Sequence, residues 1–174
     1  EYLDSAVSDT RVKNGREKFA ENEALLKMAS ERYGVDPAII TAIWGLASAY
    51  GRILCSRDII SALATLGFEG RRTSFGRREL IAALTILQNG YAVRGELKGS
   101  WAGAMGQTQF IPTTYLAYAI DQDGDGRRDL WSDLEDVFAS TANYLDQAGW
   151  QTGSPWGVVV TLPTNFDYAS ADGR

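Results

Sequence analysis

The stretch Tyr33–Gly51, "YGVDPAIITAIWGLASAYG", decides the fold class because it carries the clearest helix signal in the chain. Asp36 is a residue type that caps free backbone amides, and Pro37 suits the first helical position, so the pair predicts a helix start. Gly51 predicts the end of this helix. Residues spaced by 3, 4 and 3 positions form one stripe of it, and these are Ile40, Ile43, Ala47 and Tyr50. Such a stripe faces the interior or a cleft.

Helical spacing continues on both sides of this stretch. Before it, one helical segment carries the apolar residues Phe19, Leu26, Ala29 and Tyr33, and Gly34 is expected to end it. After it, the spacing predicts helices over residues 58–66, 77–89, 112–119 and 134–148. Val158–Thr161 is a β-branched run that predicts one short strand. The expected fold is a mainly α-helical single domain over residues 1–174, with a short β element near the C-terminus.

Composition excludes several function classes. The net charge of −5, without a block of basic residues, argues against a protein that binds nucleic acid or an anionic membrane by bulk electrostatics. The chain has no histidine, so Ser-His and Cys-His nucleophiles and an imidazole zinc site are absent. No apolar run approaches the roughly 20 residues of a membrane span. The single cysteine, Cys55, cannot form an internal disulfide.

Position 47 is the first candidate for chemistry. A carboxylate on this apolar stripe near a helix C-terminus would have a raised pKa, because desolvation and the helix dipole both disfavour its charged form. Such a group stays protonated near neutral pH, as a general acid for glycosidic cleavage must. The residue present is Ala47, a strong helix former that is equally typical of a plain packed face.

A glycine-rich segment is the second candidate. Glycines at 99, 103 and 106 suggest backbone that a ligand can approach closely. Trp101, Phe110 and Tyr115 offer flat faces for sugar rings, and hydrogen-bonding groups are available on Ser100, Thr108 and Gln109. A glycine-rich connection with aromatic residues in the core explains the same pattern.

The third candidate is the acidic run "DQDGDGRRD" over residues 121–129. This run matches an oxygen-rich calcium loop. The side-chain ligands at loop positions 1, 3 and 5 would be Asp121, Asp123 and Asp125, and the position 7 ligand would be the backbone carbonyl of Arg127. Ser132 replaces the usual glutamate at position 12, so closure would need a later acid, Glu135 or Asp136. A turn that caps the next helix is the alternative.

Four stretches together resemble the soluble domain of the lytic murein transglycosylase B family. They are "YGVDPAIITAIWGLASAYG", "SALATLGFEGRR", "KGSWAGAMGQTQFIPTTYLAYAIDQDGDGRRDLW" and "ANYLDQAGW", and the resemblance runs from about Tyr2 to Ala169. It implies a lysozyme-like α fold that binds the glycan strands of bacterial peptidoglycan. It also implies cleavage between N-acetylmuramic acid (MurNAc) and N-acetylglucosamine (GlcNAc) without water, giving a 1,6-anhydromuramic product. One glutamate acts as acid and then as base, and its position in the family motif W-G-x-E-[ST]-x-[FY]-G falls on Ala47.

The resemblance assigns further roles. Ser100 would orient the missing glutamate, and Arg71 and Arg72 would pair with carboxylates of the stem peptide. The other residues expected to face glycan are Tyr50, Met105, Gly106, Gln109, Phe110, Asn143 and Tyr144. For the arginines, a solvated turn is the alternative. No cofactor is required, and a structural calcium ion is the one metal in question.

The resemblance also places the protein in the bacterial periplasm, where a full-length form would be membrane-anchored or secreted and could meet other cell-wall proteins. Relatives usually continue beyond the equivalent of Arg174, so a C-terminal continuation is expected. Because the neighbours of Ala47 keep the motif, we expect an engineered glutamate-to-alanine replacement rather than a natural protein that only binds peptidoglycan. A hydrolase that uses Glu69 or Glu79 is a third reading, and neither residue lies in a recognisable catalytic motif.

Overall fold

The structure is a computed structural model, and it describes residues 2–155 and 157–171. Its N-terminal part contains the helices α1 (Tyr2–Ala6), α2 (Asp9–Glu21), α3 (Glu23–Tyr33) and α4 (Pro37–Ser48). Then follow β1 (Arg57–Asp58), α5 (Ile59–Glu69), α6 (Thr73–Gln88), β2 (Lys98–Gly99), α7 (Pro112–Tyr118), α8 (Leu134–Gln147) and a 3₁₀ turn (Tyr168–Ala171). The mainly α-helical prediction is confirmed.

The ends of α3 and α4 follow local sequence signals. Gly34 adopts a left-handed conformation after α3, and its N–H bonds the carbonyl of Ser30. The Asp36 side chain accepts a 2.7 Å hydrogen bond from the N–H of Ala38, so it caps α4 as predicted. The predicted single helix before Gly34 is instead two helices, because α2 ends at Glu21 and α3 begins at Glu23, with Asn22 as the cap residue between them.

The β element lies elsewhere than predicted. Val158–Thr161 forms no strand within residues 157–171, and Val159 is fully exposed to solvent. The strands are β1 and β2, which pair antiparallel with Arg57 opposite Gly99 and Asp58 opposite Lys98. The prediction from β-branched residues was wrong because no neighbouring strand in the described part of the chain pairs with them.

Two hydrophobic cores hold the helices together. We call the first the α4 core, and its buried residues include Leu26, Ile40, Trp44 and Phe138. The second, the α5–α6 core, buries Leu63, Ile86, Met105, Tyr115 and Leu130, among others. The candidate residues divide between them: position 47 lies on α4, whereas the glycine-rich segment packs into the α5–α6 core. The candidate site therefore lies where the two cores meet.

Candidate active site

Gln107 joins the two cores. Its amide oxygen accepts a 2.6 Å hydrogen bond from the indole N–H of Trp44, and its amide nitrogen donates to the carbonyl of Trp131 at 2.9 Å. Its backbone N–H also donates to the carbonyl of Leu130 at 2.7 Å. Gln107 is only 7% exposed, so these bonds are shielded from water. They fix α4 against the segment that follows Gly106.

The last turn of α4 is closed tightly after position 47. Ala49, Tyr50 and Gly51 all have positive φ, at 51°, 61° and 74°. The Ser48 hydroxyl accepts a 3.0 Å bond from the N–H of Gly51. A Cβ on Gly51 would lie 2.3 Å from the Gln107 amide oxygen, so only glycine fits there. Ala47 itself is half-buried in this turn, and its methyl group supplies no polar atom.

The helix stop removes Tyr50 from the predicted stripe. Because α4 ends at Ser48, the Tyr50 ring turns between α2 and α4 and is 8% exposed. Its hydroxyl donates a 2.9 Å hydrogen bond to the carbonyl of Arg11. A Cβ on Gly15 would lie 2.7 Å from the Tyr50 hydroxyl and one on Gly45 would lie 2.5 Å from the ring, so the side chain packs against the backbones of α2 and α4. Tyr50 is therefore part of the α2–α4 packing, and its contact with glycan stays a prediction.

Ser100 is held in a tight turn. Its hydroxyl oxygen accepts hydrogen bonds from the backbone N–H groups of Ala102, at 3.3 Å, and Ala104, at 3.0 Å. Its own N–H donates to the Ala104 carbonyl at 2.7 Å. A hydroxyl has two acceptor lone pairs and one proton, so both lone pairs are used and the proton is left to donate.

The segment from Gly99 to Phe110 folds back on itself. The backbones of Met105 and Phe110 exchange two hydrogen bonds, at 2.8 and 3.0 Å. Gly106 has φ 69°, and a Cβ there would lie 2.5 Å from the Leu130 carbonyl. Gln109 has φ 60°, which is strained for a residue with a side chain, and its amide donates to the Gly106 carbonyl at 3.0 Å.

The aromatic side chains differ in exposure. Met105 is wholly buried and Phe110 is 7% exposed, so both act mainly as core residues. The Phe110 ring lies 5.7 Å from the ring of Tyr144, which is 41% exposed and so extends this cluster to the surface. The Asn143 side chain donates a 2.9 Å bond to the carbonyl of Tyr118. Of the three predicted sugar faces, Tyr115 is buried and Trp101 is 63% exposed.

The predicted arginine pair lies at the turn between α5 and α6. Both side chains are exposed, and Arg71 pairs with Glu69 at 2.5 Å. Arg72 stacks over the ring of Phe75, with 4.2 Å between guanidinium carbon and ring centre. The pair is therefore available to a ligand at the surface.

Glu79, one carboxylate of the hydrolase reading, has a structural role. It is completely buried and accepts hydrogen bonds from the N–H and hydroxyl of Thr113, at 2.9 and 3.1 Å. It also pairs with Arg78 at 3.0 Å. Thr113 lies in the first turn of α7, so Glu79 satisfies a free amide of that helix from outside.

The acidic run brings three carboxylates together. Oxygen atoms of Asp121, Asp123 and Asp136 all lie within 4.8 Å of one another. Burial raises the pKa of Asp136 to about 6, although hydrogen bonds from the N–H groups of Gln122 and Asp129 act to lower it. The Asp125 side chain instead accepts from the Arg127 N–H at 2.7 Å. Three close carboxylates suit a hard cation with oxygen ligands.

Sequence reasoning missed Gln107, the residue that orders the site. The available signal was a large amide among glycines and buried residues, where a polar side chain needs specific partners. Its neighbour Thr108 is 8% exposed, and its hydroxyl has no partner within residues 2–155 and 157–171. The site segment therefore contains one buried hydroxyl without a hydrogen-bond partner among the described residues.

Comparison with known proteins identifies this arrangement. The model of the transglycosylase SLT domain family matches residues 1–174. Membrane-bound lytic murein transglycosylase B of Escherichia coli strain K12 is 37% identical over 171 residues, which is 95% of this chain and 47% of that protein. The chain thus spans about half the length of the curated relative that it matches.

Two solved structures show the same fold. SltB3 from Pseudomonas aeruginosa, in complex with NAG-NAM-pentapeptide, is 49% identical with a TM-score of 0.89, over 97% of this chain and 45% of that one. Escherichia coli Slt35 in complex with calcium is 38% identical with a TM-score of 0.82, over 88% of this chain and 49% of that one. The fold is the lysozyme-like helical fold of these enzymes, and the chain belongs to the transglycosylase SLT domain family.

Proposed function

We propose that this domain is a peptidoglycan lytic transglycosylase that cleaves the β-1,4 bond between MurNAc and GlcNAc without water, and that Ala47 leaves this chain inactive but able to bind glycan. The observation that carries the proposal is the Gln107 bridge, which fixes the last turn of α4 against the glycine-rich segment. A built site with one reactive group absent favours an inactivated enzyme over an unrelated binding protein.

Ser100 supports the role of position 47. Its lone pairs are used by backbone N–H groups, so its proton can point at an external acceptor. A carboxylate at position 47 is an acceptor of this kind, and a hydrogen bond from Ser100 would hold it in one orientation. A glutamate there would also lie in the last turn of α4, where the helix dipole raises its pKa.

The chemistry needs only one such carboxyl group. As an acid it gives its proton to the glycosidic oxygen while the bond from that oxygen to C1 of MurNAc breaks. The acetamido group of the substrate supports the positive C1 centre. The same carboxylate then acts as a base and takes the proton of the 6-hydroxyl of MurNAc, while the oxygen of that hydroxyl bonds to C1. The product is the 1,6-anhydro sugar, and no water is consumed.

The substrate is the glycan strand with its stem peptides. Support comes from the exposed Tyr144 beside Phe110, which offers an aromatic face, and from the two exposed arginines. We assign glycan contacts to Tyr144, Phe110, Gln109 and Asn143. We assign ion pairs with the carboxylates of the stem peptide to Arg71 and Arg72. A relative bound to NAG-NAM-pentapeptide supports this substrate class.

The deciding experiment compares this chain with its Ala47→Glu and Ala47→Gln variants on purified peptidoglycan in ¹⁸O-water, followed by mass spectrometry. We expect 1,6-anhydromuropeptides without ¹⁸O from Ala47→Glu alone. Reducing ends labelled with ¹⁸O would support the hydrolase reading instead. Binding without any release by Ala47→Glu would favour a natural protein that only binds peptidoglycan.

We also infer a structural calcium ion at the acidic run. The three carboxylates of Asp121, Asp123 and Asp136 fit an oxygen-liganded cation, and calcium would neutralise their mutual repulsion. The Arg127 carbonyl and Asp125 belong to the same loop and complete the proposed ligand set. The calcium complex of Slt35 supports this assignment, and the ion takes no part in the cleavage.

We place the activity in the bacterial periplasm, where peptidoglycan lies. A relative described as membrane-bound supports a location next to a membrane. Among residues 2–155 and 157–171, none of the helices has the length and apolar character that crossing a bilayer requires.

A further inference from the structure

A continuous series of hydrogen bonds connects the three clustered carboxylates to the candidate active site. It begins at Asp136, which is 1% exposed and whose carboxylate accepts a 2.7 Å bond from the N–H of Asp129. The Asp129 carboxylate in turn accepts a bond from the N–H of Trp131 at 2.8 Å. We call these three consecutive residues the 129–131 segment. The backbone N–H at each end of this segment is therefore bonded to a carboxylate, which is a strong acceptor.

This segment contacts both parts of the candidate site. Its Leu130 and Trp131 carbonyls accept bonds from the backbone N–H and the side-chain amide of Gln107, at 2.7 and 2.9 Å. The Trp131 indole donates a 2.8 Å bond to the carbonyl of Lys98, which lies two residues before Ser100. The segment therefore supports the Gln107 bridge to α4 and also the turn that holds Ser100.

The part of α4 that receives this support is strained. Ala49 and Tyr50 have φ values of 51° and 61°, which are unfavourable for residues with a side chain. Such a conformation persists only where the surrounding groups hold it. The Gln107 amide oxygen is one of these groups, because a Cβ on Gly51 would lie 2.3 Å from it. A displacement of Gln107 would therefore release the turn that follows position 47.

A bound cation would act on the first bond of the series. The clustered carboxylate oxygens lie within 4.8 Å of one another, so the three groups repel each other, and Asp136 is the buried member. A cation between them would hold the Asp136 carboxylate in one position, and this carboxylate is the acceptor for the Asp129 N–H. Cation binding would thus stabilise the 129–131 segment in the arrangement described above.

We propose that a divalent cation at the acidic run regulates the candidate active site: its binding holds the 129–131 segment and Gln107 in place, and this tightens the binding of glycan. The inference rests on the calcium ion and the glycan substrate of the proposed function. It gives the ion a regulatory role in addition to a structural one, without a part in the cleavage. Because coupling between two binding sites is reciprocal, bound glycan must tighten calcium binding by the same factor.

The first test uses the parent chain and needs no substitution. Calorimetry measures the binding of a GlcNAc-MurNAc tetrasaccharide with saturating calcium and with chelator, and the binding of calcium with and without the sugar. We expect each ligand to tighten the binding of the other about fivefold, which is typical of coupling between sites. Amide hydrogen exchange is a readout that needs no sugar. Calcium should slow exchange at Gln107 and Gly51, whose N–H groups bond the Leu130 carbonyl and the Ser48 hydroxyl.

Two variants separate this coupling from a general gain in stability. Gln107→Leu keeps the three carboxylates and so should bind calcium, but the coupling factor should fall to about 1.5 or less, and calcium should no longer slow exchange at Gly51. Trp131→Phe removes only the indole bond to Lys98 and serves if Gln107→Leu does not fold. Its coupling factor should fall to about two or three, since the bonds to Gln107 remain.

Glu79→Gln is the matched control. It alters a buried carboxylate that bonds Thr113 rather than the 129–131 segment, so it should keep the coupling factor of about five. Thermal unfolding of every variant shows whether it is folded under the assay conditions.

Three results would overturn the proposal. Calcium binding with unchanged glycan affinity would leave the ion a structural role only. An unchanged coupling factor in both Gln107→Leu and Trp131→Phe would show that the 129–131 segment does not carry the effect. Absence of calcium binding would overturn this inference together with the calcium assignment. No measurement needs cleavage, so an inactive Ala47→Glu variant would count against the proposed function alone.

Discussion

The indole N–H of Trp44 and the amide oxygen of Gln107 form a 2.6 Å hydrogen bond between residues 63 positions apart in the chain. Trp44 belongs to the α4 core, and Gln107 lies two residues after Met105, which belongs to the α5–α6 core. The bond therefore links the two cores at Trp44, three residues before position 47 on α4.

Gln107→Leu tests this bridge. The substitution keeps the side-chain size but leaves the Trp44 N–H and the Trp131 carbonyl without their partner in a shielded place. We expect the free energy of unfolding to fall by about 3 kcal/mol, since two buried polar groups lose their bonds. Urea unfolding measures the change. Gln147→Leu, on the exposed end of α8, is the control and should change it by less than about 0.5 kcal/mol.

Glu79→Ala should destabilise the domain without acting on catalysis. The free amide of Thr113 and its hydroxyl lose a buried acceptor, so we expect a loss of about 2–3 kcal/mol in the free energy of unfolding. Glu17→Ala, which removes an exposed carboxylate, is the control. In a chain that also carries Ala47→Glu, Glu79→Gln should still release anhydromuropeptides at temperatures where it is folded. Complete loss of release from folded protein would instead assign Glu79 to the chemistry.

Calcium should stabilise the domain through the carboxylates at the acidic run. At a calcium concentration of about 100 times the dissociation constant, binding adds about 2.7 kcal/mol, which corresponds to a Tm increase of about 5 °C or more. Asp123→Ala removes one of the three clustered carboxylates and should abolish the increase, whereas the exposed control Asp146→Ala should keep it. Differential scanning calorimetry with calcium, magnesium or chelator gives the readout. An equal increase in Asp123→Ala would contradict the assignment.

Asp58 should make stability depend on pH at the acidic end. The hydrogen bond from Arg94 and the N–H of Ser61 hold the pKa of this carboxyl well below its ordinary value of 3.8. Because the pKa is lowered in the folded state, the ionised carboxyl stabilises the folded state above pH 3.8, and this contribution is lost as the pH falls below that value. Asp58→Asn keeps a good helix cap but loses the charge. Its stability should be below that of the parent near pH 7 and approach it as the pH falls towards 2. A difference that stays constant over this range would exclude the charge as its cause.

Local signals in the sequence were sufficient where a few neighbouring residues determine the structure. Asp36 and Pro37 begin α4 and Gly34 ends α3, as expected, because capping needs only adjacent atoms. The spacing of the acidic run also indicated a loop of carboxylates that a later acid, Glu135 or Asp136, could close. It did not indicate that Asp136 would lie beside Asp121 and Asp123 and that Asp125 would lie outside this cluster.

Features that depend on distant residues were not predictable. Tyr50 leaves its stripe because Ala49 takes a left-handed conformation that sequence assigns to glycine rather than alanine. Residues 158–161 have strand propensity, but a strand also needs a partner, and propensity does not provide one. Gln107 organises the site through bonds to Trp44 and Trp131, and nothing in its local sequence specifies these partners.

The closed ends of α4 have a consequence for the direction in which position 47 points. The helix has 12 residues, with the Asp36 cap at one end and the left-handed turn from Ala49 to Gly51 at the other. Each residue rotates a helix by about 100°, so deleting or inserting one residue before position 47 would swing its side chain to another face. The direction in which the side chain at position 47 points is thus set by the number of residues before it, so the length of α4 matters to the candidate site as much as the side chain at that position.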